Sequence, residues 1–439
     1  MDFKTIKGTR YSGTALLLFL IGVFSQTQIR IVGKIGLSEL WMVLAAPLVL
    51  SSNWQRIKRG GLMPIVTLAF LWVVGAVISD LCNHTYFQFA MKGVAVPIVV
   101  LSSIICIYSL LSRDLRNLRW LLLGIAISVV LSTFVLQRGR AGDYAADTGD
   151  IALAAESVMS YKLYWVTMSI AWLSLPITGW YQKVPIFYSV LASFGLAVLS
   201  LKVGGRSLFA VNLLSCILIL YARKNVGRMM AIRKHVFLFL LGLFALAVVM
   251  KQVYSYAAKN GYMGDYELRK HRIQTEHGSS FAHLLISGRT DFFIGLRAAL
   301  DKPIIGQGSH AIDTQGYMVD IVSKYGDLGE VERASKVILT GMVNIKAHSH
   351  VITYWMWHGI FGLLFWGYVI WTVAGTLFKR MGFFPPYYGY LAMTIPAFMW
   401  DVFFSPLSLR VNACVLMVVC VIVKKVAENT KRGFSGLIP

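Results

Sequence analysis

Residues 61–79 read GLMPIVTLAFLWVVGAVIS and carry no charged side chain. A helix of about 20 apolar residues is long enough to cross the hydrocarbon core of a bilayer. Residues 94–111, VAVPIVVLSSIICIYSLL, and residues 236–250 have the same character. Over the 439-residue chain 57% of residues are hydrophobic and 14% are charged, an apolar content that a soluble domain could not bury. We therefore predict an α-helical membrane protein.

Further apolar segments recur along most of the chain. Hydropathy predicts about twelve of them as spans, at residues 11–28, 36–52, 61–80, 88–111, 118–136, 159–178, 184–202, 207–222, 235–252, 348–377, 384–402 and 406–424. The predicted fold class is therefore all-α, a polytopic transmembrane helical bundle.

Basic residues alternate with these spans. The net charge of +22 would suggest a nucleic-acid partner in a soluble protein, but here the position of the charges is more informative than their sum. Clusters of Lys and Arg fall in short connections, which mark the cytoplasmic face of a membrane protein. They include residues 4–10, 56–59, 113–119, 223–234, 379–380 and 424–432. Both termini are then cytoplasmic, no nucleic acid is expected as a partner, and anionic lipid headgroups are candidate ligands of the same clusters.

The hydrophobic pattern breaks once, between the ninth and tenth predicted spans. We predict three regions: spans 1–9 in residues 1–252, one large periplasmic loop domain in residues 253–347, and spans 10–12 with a cytoplasmic tail in residues 348–439. The loop domain is expected to be partly helical, around residues 289–302 and 315–324. The five cysteines form neither a disulfide framework nor a metal cluster. No nucleotide-binding Gly-rich loop and no obvious acidic pair for a metal occur in the sequence, so we predict no cofactor and no metal site.

Three polar features fall on the outer side of this topology. Arg206 opens a span, where an arginine either snorkels or meets an anion. Arg289 follows Gly288 at a predicted helix start, where a guanidinium and free backbone N–H groups could both bind phosphate oxygens. His348 precedes Ser349, a residue type that caps helices, and the positive end of that helix would keep the imidazole neutral and able to accept a proton.

At these residues the chain resembles the O-antigen ligase and O-antigen polymerase superfamily. The similarity begins with His348-Ser349-x-x-Ile352, followed after six residues by Gly359-Ile360-Phe361-Gly362. It extends upstream to Ser287-Gly288-Arg289, to the turn Pro303-x-x-Gly306-x-Gly308, and to Arg206. Phe361 stands where proline is common in the family. The resemblance covers mainly residues 200–375.

The resemblance implies a GT-C-like membrane glycosyltransferase of the bacterial inner membrane, with its active site facing the periplasm. The donor would be an undecaprenyl-pyrophosphate-linked O-antigen, and the acceptor would be the lipid A core oligosaccharide of lipopolysaccharide. Arg206 and Arg289 would bind the pyrophosphate, and His348 would deprotonate the acceptor hydroxyl in an inverting, metal-independent transfer. We expect the protein to act as a monomer.

Several alternatives stay open at this point. His350 is the alternative base, although the spacing to Gly359 favours His348. An O-antigen polymerase or a protein O-oligosaccharyltransferase would use the same donor and the same residues. A lipid or ion transporter is the alternative of a different class, but the ionisable residues concentrate at span ends rather than at span centres. Further residues on or near the outer face that could touch substrate are Arg140, Arg297, His310 and Asp401.

Overall fold

The architecture is taken from a computed structural model of the chain. It describes residues 13–30, 34–134, 206–224, 290–325, 344–345, 347–380, 388–404 and 410–431, and short pieces within 190–198 and 249–272. Of the site residues predicted above, Arg140 and Arg289 lie outside this part of the chain, and Arg206 is described in its backbone only.

The described part of the chain is mostly helical. In chain order its helices are α1 Gly13–Val23, α2 Leu37–Arg59, α3 Met63–Cys82, α4 Phe87–Leu111, α5 Leu118–Phe134, α6 Arg206–Lys224, α7 Thr290–Asp301, α8 Tyr317–Tyr325, α9 His350–Gly375, α10 Tyr388–Phe404 and α11 Arg410–Lys431. Turns of 3-10 helix at Phe24–Gln26 and Leu115–Asn117 and a π turn at Thr376–Arg380 adjoin α1, α5 and α9.

Three described helices are long and apolar enough to cross a membrane, namely Met63–Cys82, Phe87–Leu111 and His350–Arg380. Shorter apolar helices occur at Gly13–Gln26, Phe209–Leu220 and Gly389–Phe404. The prediction of an α-helical membrane protein is therefore confirmed in its coarse form. The count of twelve spans and the periplasmic position of residues 253–347 stay predictions.

A short antiparallel hairpin accompanies the helices in the described part of the chain. Strand β1, Gln28–Arg30, pairs with strand β2, Lys34–Gly36, with Ile29 opposite Ile35. The hairpin joins α1 to α2 and ends at a helix cap, because the Gly36 amide donates to the Glu39 carboxylate at 2.7 Å. Hydropathy did not predict these strands, since each is only three residues long.

The bundle has one end that is rich in basic residues. Helix α2 ends there with Arg56, Lys58 and Arg59, and the end of α4 is adjacent, because a side chain at Gly60 would overlap the Tyr108 hydroxyl. The π turn after α9 adds Lys379 and Arg380. The opposite end is formed by the α3–α4 connection and a turn at residues 302–310, and the candidate site lies there.

The core is formed by apolar side chains between these helices. Trp72 of α3 is fully buried and packs edge-on against Tyr354 and stacked against Phe365, both of α9, with ring centroids 4.8 Å apart in each pair. A partly buried ion pair adds to it, in which Arg410 of α11 contacts the buried Glu39 of α2 at 2.9 Å. This pair joins the starts of two helices that are far apart in sequence.

Candidate functional site

Helix α9 is two helical arms that meet at Gly359. The backbone of Gly359 has φ 62° and ψ −146°, which is far from helical. In a straight helix His350 and Trp366 would be about 24 Å apart along the axis. Their ring centroids are 5.1 Å apart, and Tyr354 stacks on Trp366 at 6.1 Å. The first arm, residues 350–358, therefore folds back against the second arm, residues 360–375. Of the predicted span at residues 348–377, the second arm and the π turn that follows it are the part available to cross a membrane.

The break leaves backbone groups of α9 available to another segment. In an unbroken helix the Met356 carbonyl would accept from the Ile360 amide. Here the Ile360 amide donates to the Ile304 carbonyl at 3.0 Å, and the Gln307 amide donates to the Met356 carbonyl at 2.6 Å. The turn at residues 302–308 thus supplies the hydrogen bonds that the break removes.

Glycines on both sides make this approach feasible. Gly306 and Gly308 have φ 86° and 85°, a conformation that L side chains rarely adopt. A Cβ at Gly306 would press on the Trp357 carbonyl, and one at Gly359 would overlap the Ile304 carbonyl. The two glycine motifs of the sequence, Pro303-x-x-Gly306-x-Gly308 and the motif at Gly359, are therefore in direct contact.

A buried polar network fastens the same turn to α3. The Ser309 amide donates to Asp80 Oδ1 at 2.6 Å, and the Ser309 hydroxyl donates to Asp80 Oδ2 at 2.8 Å. The Trp72 indole N–H donates to His358 Nδ1 at 2.8 Å. Since an indole N–H can only donate, the proton of neutral His358 resides on Nε2, which lies 3.1 Å from the Ser309 hydroxyl. Trp72, His358, Ser309 and Asp80 form one continuous chain of hydrogen bonds.

Replacing Ser309 with alanine should destabilise this network. The change removes one donor to the Asp80 carboxylate and the partner of His358 Nε2, all at buried positions. Leaving buried polar groups unsatisfied costs about 1–3 kcal/mol. We expect a lower midpoint of thermal unfolding in detergent for Ser309→Ala than for Ser323→Ala, because the exposed Ser323 hydroxyl donates only to the Asp320 carbonyl of its own helix. Equal midpoints in the two variants would contradict a stabilising role for the network.

His310 follows directly and is held by aromatic rings. Its ring centroid lies 4.5 Å from that of Trp357 and 5.5 Å from that of Phe89. Burial lowers the pKa of His310, the nearby Lys92 lowers it further, and Asp80 acts in the opposite direction. His310 is thus a packed side chain of the turn, and its burial favours the neutral imidazole.

The segment that leads into His348 is fixed by residues just after that turn. Ile312 and Asn344 form an isolated antiparallel bridge, and the Ile345 amide donates to the Ala311 carbonyl at 2.8 Å. His348 then takes φ 42°, an uncommon conformation for a residue other than glycine. Such strain persists only where surrounding contacts impose it, and it is frequent at functional sites.

Ser349 caps α9, as predicted. Its hydroxyl accepts from the Ile352 amide at 3.3 Å and donates to the Val402 carbonyl of α10 at 3.0 Å. The cap therefore fixes both the helix start and its position against α10.

The His348 side chain is half-exposed and has one acidic neighbour. His348 Nδ1 lies 3.3 Å from Asp291 Oδ2, in the first turn of α7. Helix α7 packs closely here, since a Cβ at Gly295 would press on Ala347. A carboxylate on Nδ1 holds the ring and leaves Nε2 as the nitrogen that can accept a proton. The sequence analysis did not assign this role to Asp291.

The two histidines of the motif differ in environment. His350 is buried, 3% exposed, and packs edge-on against Trp366. His348, in contrast, presents half of its side chain to the surface. Of the two, His348 is the one that a substrate can reach in this structure.

The remaining predicted residues are less informative. Arg297 is exposed on α7, with Nε 3.9 Å from Asp301 Oδ1. Asp401 lies on an exposed face of α10, and Arg206 is the first residue of α6. Among the described residues, no group of three or more His, Cys, Asp or Glu side chains is placed to hold a metal ion.

Asp80 is the residue that sequence reasoning could have found. It is an acidic side chain at the end of the apolar stretch that begins at residue 61, and ionisable residues within spans are rarely incidental. Its partner Ser309 carries no such signal, because 229 positions separate the two residues in sequence.

Comparison with known proteins identifies no relative: no family model, curated protein or solved structure matches this chain.

Proposed function

We propose that this protein is an O-antigen ligase, which transfers a glycan from undecaprenyl pyrophosphate to a hydroxyl of the lipid A core oligosaccharide at the periplasmic face of the inner membrane. The observation that carries the proposal is the convergence of separate motifs. The turn with Gly306 and Gly308 contacts the break at Gly359, and His348 contacts the first turn of α7, directly after Ser287-Gly288-Arg289.

The proposed chemistry uses His348 as general base. The acceptor O–H bond breaks as His348 Nε2 takes the proton, and the acceptor oxygen attacks the anomeric carbon. The bond from that carbon to the pyrophosphate oxygen breaks on the opposite face, so the configuration inverts and undecaprenyl pyrophosphate leaves. Asp291 would hold the ring through Nδ1 and stabilise the imidazolium that forms.

Arg289 is proposed to bind the leaving pyrophosphate, whose negative charge grows in the transition state. In sequence it lies two residues before Asp291, the residue that contacts His348. Helix α7 begins at Thr290, and a helix start offers free N–H groups to the same anion.

Arg206 is proposed as the second cation that binds the leaving pyrophosphate, and we call the pair Arg206 and Arg289 the clamp. The Ser215 hydroxyl of α6 donates to the Ala392 carbonyl of α10 at 3.1 Å. The charge pattern predicts that α6 runs inward and α10 outward. With that orientation Arg206 lies on the outer side of this contact, about 14 Å from it along the axis of α6. Val402, whose carbonyl accepts from Ser349, lies on the same side, about 15 Å from the contact along the axis of α10.

Removing either arginine should weaken donor binding and turnover together. We expect Arg289→Ala and Arg206→Ala to lower kcat/KM about 10- to 100-fold, which corresponds to the loss of one charge-assisted hydrogen bond of about 1.5–3 kcal/mol. The measurement is steady-state transfer by the protein in vesicles at varied donor concentration. Arg116→Ala is the control, since Arg116 pairs with Asp114 near the basic end of the bundle. Wild-type kinetics in both arginine variants would remove the clamp from the proposal.

The decisive experiment for the activity uses purified protein, a defined undecaprenyl-pyrophosphate-linked glycan and lipid A core acceptor. We expect glycan-bearing lipid A core as product, formed equally well with a chelator present. Lengthening of the glycan on its carrier, with the lipid A core unchanged, would instead identify a polymerase. Deleting the gene separates the same two activities, because loss of a ligase leaves polymerised glycan on the carrier and loss of a polymerase leaves lipopolysaccharide with one repeat unit.

A further inference from the structure

The end of α7 and the turn that follows it expose apolar side chains that a water-soluble loop would normally bury. Leu300, Ile304 and Ile305 are 54%, 69% and 46% exposed. Exposed apolar groups clustered within six residues indicate a surface that is covered by something other than water.

These side chains adjoin a second exposed apolar group at the α3–α4 connection. The Asn83 side-chain amide donates to the Gly306 carbonyl at 3.1 Å, and the Lys302 ammonium donates to Asn83 Oδ1 at 2.9 Å. Asn83 lies between Leu81 and the pair Tyr86 and Phe87, all of which are exposed. We call the six residues Leu81, Tyr86, Phe87, Leu300, Ile304 and Ile305 the apolar rim.

The apolar rim continues an exposed apolar stripe of α3. Val74, Val77, Ile78 and Leu81 are exposed and lie at i, i+3, i+4 and i+7, which is one face of a helix. Helix α3 is long and apolar enough to cross a membrane, so this stripe faces lipid when it does. The lipid-facing stripe of α3 therefore adjoins the exposed apolar side chains at the turn.

The polar groups at the rim suit a bilayer surface. The side chain of Lys302 can lie along apolar surface while its ammonium stays at headgroup level. Tyr86 is of a type enriched at membrane interfaces. Asp301, the acidic neighbour, accepts a hydrogen bond from the Tyr317 hydroxyl at 2.7 Å and is thereby directed to α8.

We infer that residues 300–305 insert into the outer leaflet and anchor the predicted loop domain to the bilayer, with the acyl-chain region as the occupant of the apolar rim. The predicted loop domain would then lie in contact with the membrane interface at this turn. Since α7 leads directly from Asp291 to this turn, the anchor also fixes the His348 region relative to the membrane surface. The inference rests on exposure and contacts and does not require the proposed enzymatic activity.

The test is a spin-label depth measurement on the full chain in vesicles of phosphatidylethanolamine and phosphatidylglycerol. All five cysteines, among which Cys82 is exposed, are first replaced by serine. A label at Ile304→Cys is then compared with one at Thr314→Cys, an exposed polar position of the same loop region. We expect the label at 304 to collide more with oxygen, which concentrates in the bilayer, than with a water-soluble nickel chelate, and the label at 314 to show the reverse.

Two results would overturn the inference. Free access of the nickel chelate to the label at 304 would place the turn in water. Protection of that label from both reagents would show that protein, and not lipid, covers the rim. Leu300→Cys repeats the measurement at a second rim position if the 304 variant does not fold.

Discussion

Replacing His348 with alanine is expected to reduce glycan transfer about 10²- to 10⁴-fold while leaving donor binding unchanged. Positioned proton transfer contributes this much to catalysis, and the donor pyrophosphate is bound by other side chains in the proposed mechanism. Because His348 is half-exposed and precedes the helix start, truncating it should leave the fold intact. The measurements are the initial rate of transfer and the equilibrium binding of labelled donor.

His350→Ala is the matched control for this experiment. The imidazole of His350 is buried against Trp366, so its loss creates a cavity between the two arms of α9. We expect a lower unfolding temperature and a rate per folded molecule close to that of the unaltered protein. Full transfer by His348→Ala together with lost transfer by stably folded His350→Ala would assign the base to His350.

Asp291→Asn tests whether Asp291 acts on His348 by orienting its ring or by stabilising its imidazolium through charge. An asparagine could still contact His348 Nδ1 but carries no charge to stabilise an imidazolium. We expect a smaller loss of kcat than in His348→Ala, at unchanged donor KM. Activity equal to that of the unaltered protein would remove Asp291 from the mechanism.

Hydropathy located α3 and α4 closely because their signal is local. The predicted segments 61–80 and 88–111 correspond to Met63–Cys82 and Phe87–Leu111. Helical patches predicted at 289–302 and 315–324 correspond to Thr290–Asp301 and Tyr317–Tyr325. Each of these depends on the periodicity or composition of one continuous stretch, which the sequence displays directly.

The fold-back of α9 could not be predicted in this way. Residues 350–375 contain no Asp, Glu, Lys or Arg and are mostly apolar, so a sliding average reports one long span. Glycine is common in membrane helices, and Gly359 differs from Gly367 only through the turn that contacts it. The break is specified by Ile304, a residue more than fifty positions upstream, and such long-range pairing is not visible in a hydropathy profile.

The candidate site was predictable where it depends on sequence-local chemistry. Ser349 was expected as a cap because serine accepts from free amides at a helix start, and the cap is confirmed. The Asp80–Ser309 contact was not predicted, because the sequence around either residue gives no indication that the two side chains meet. The roles of Arg206 and Arg289 stay predictions.

Replacing Gly359 with alanine is expected to destabilise the protein by about 4 kcal/mol. A residue other than glycine at φ 62° and ψ −146° costs about 1–3 kcal/mol in backbone strain. The new Cβ would also overlap the Ile304 carbonyl, which is held in place by its hydrogen bond to the Ile360 amide, and such overpacking costs about 1–3 kcal/mol more. We expect a much lower unfolding midpoint in detergent, followed by intrinsic tryptophan fluorescence.

Gly367→Ala tests whether the effect belongs to the break. Gly367 lies in the second arm of the same helix, and a Cβ there would meet no atom within 4 Å. Alanine favours helix over glycine by about 1 kcal/mol, so this variant should unfold at the same temperature or a higher one. If both variants unfolded at the same temperature, α9 would be a continuous helix. The backbone groups of the turn at residues 302–308 would then have to form their hydrogen bonds with other partners. A large difference between them would instead show that the contact between the two glycine motifs, on which the geometry around His348 depends, exists in the folded protein.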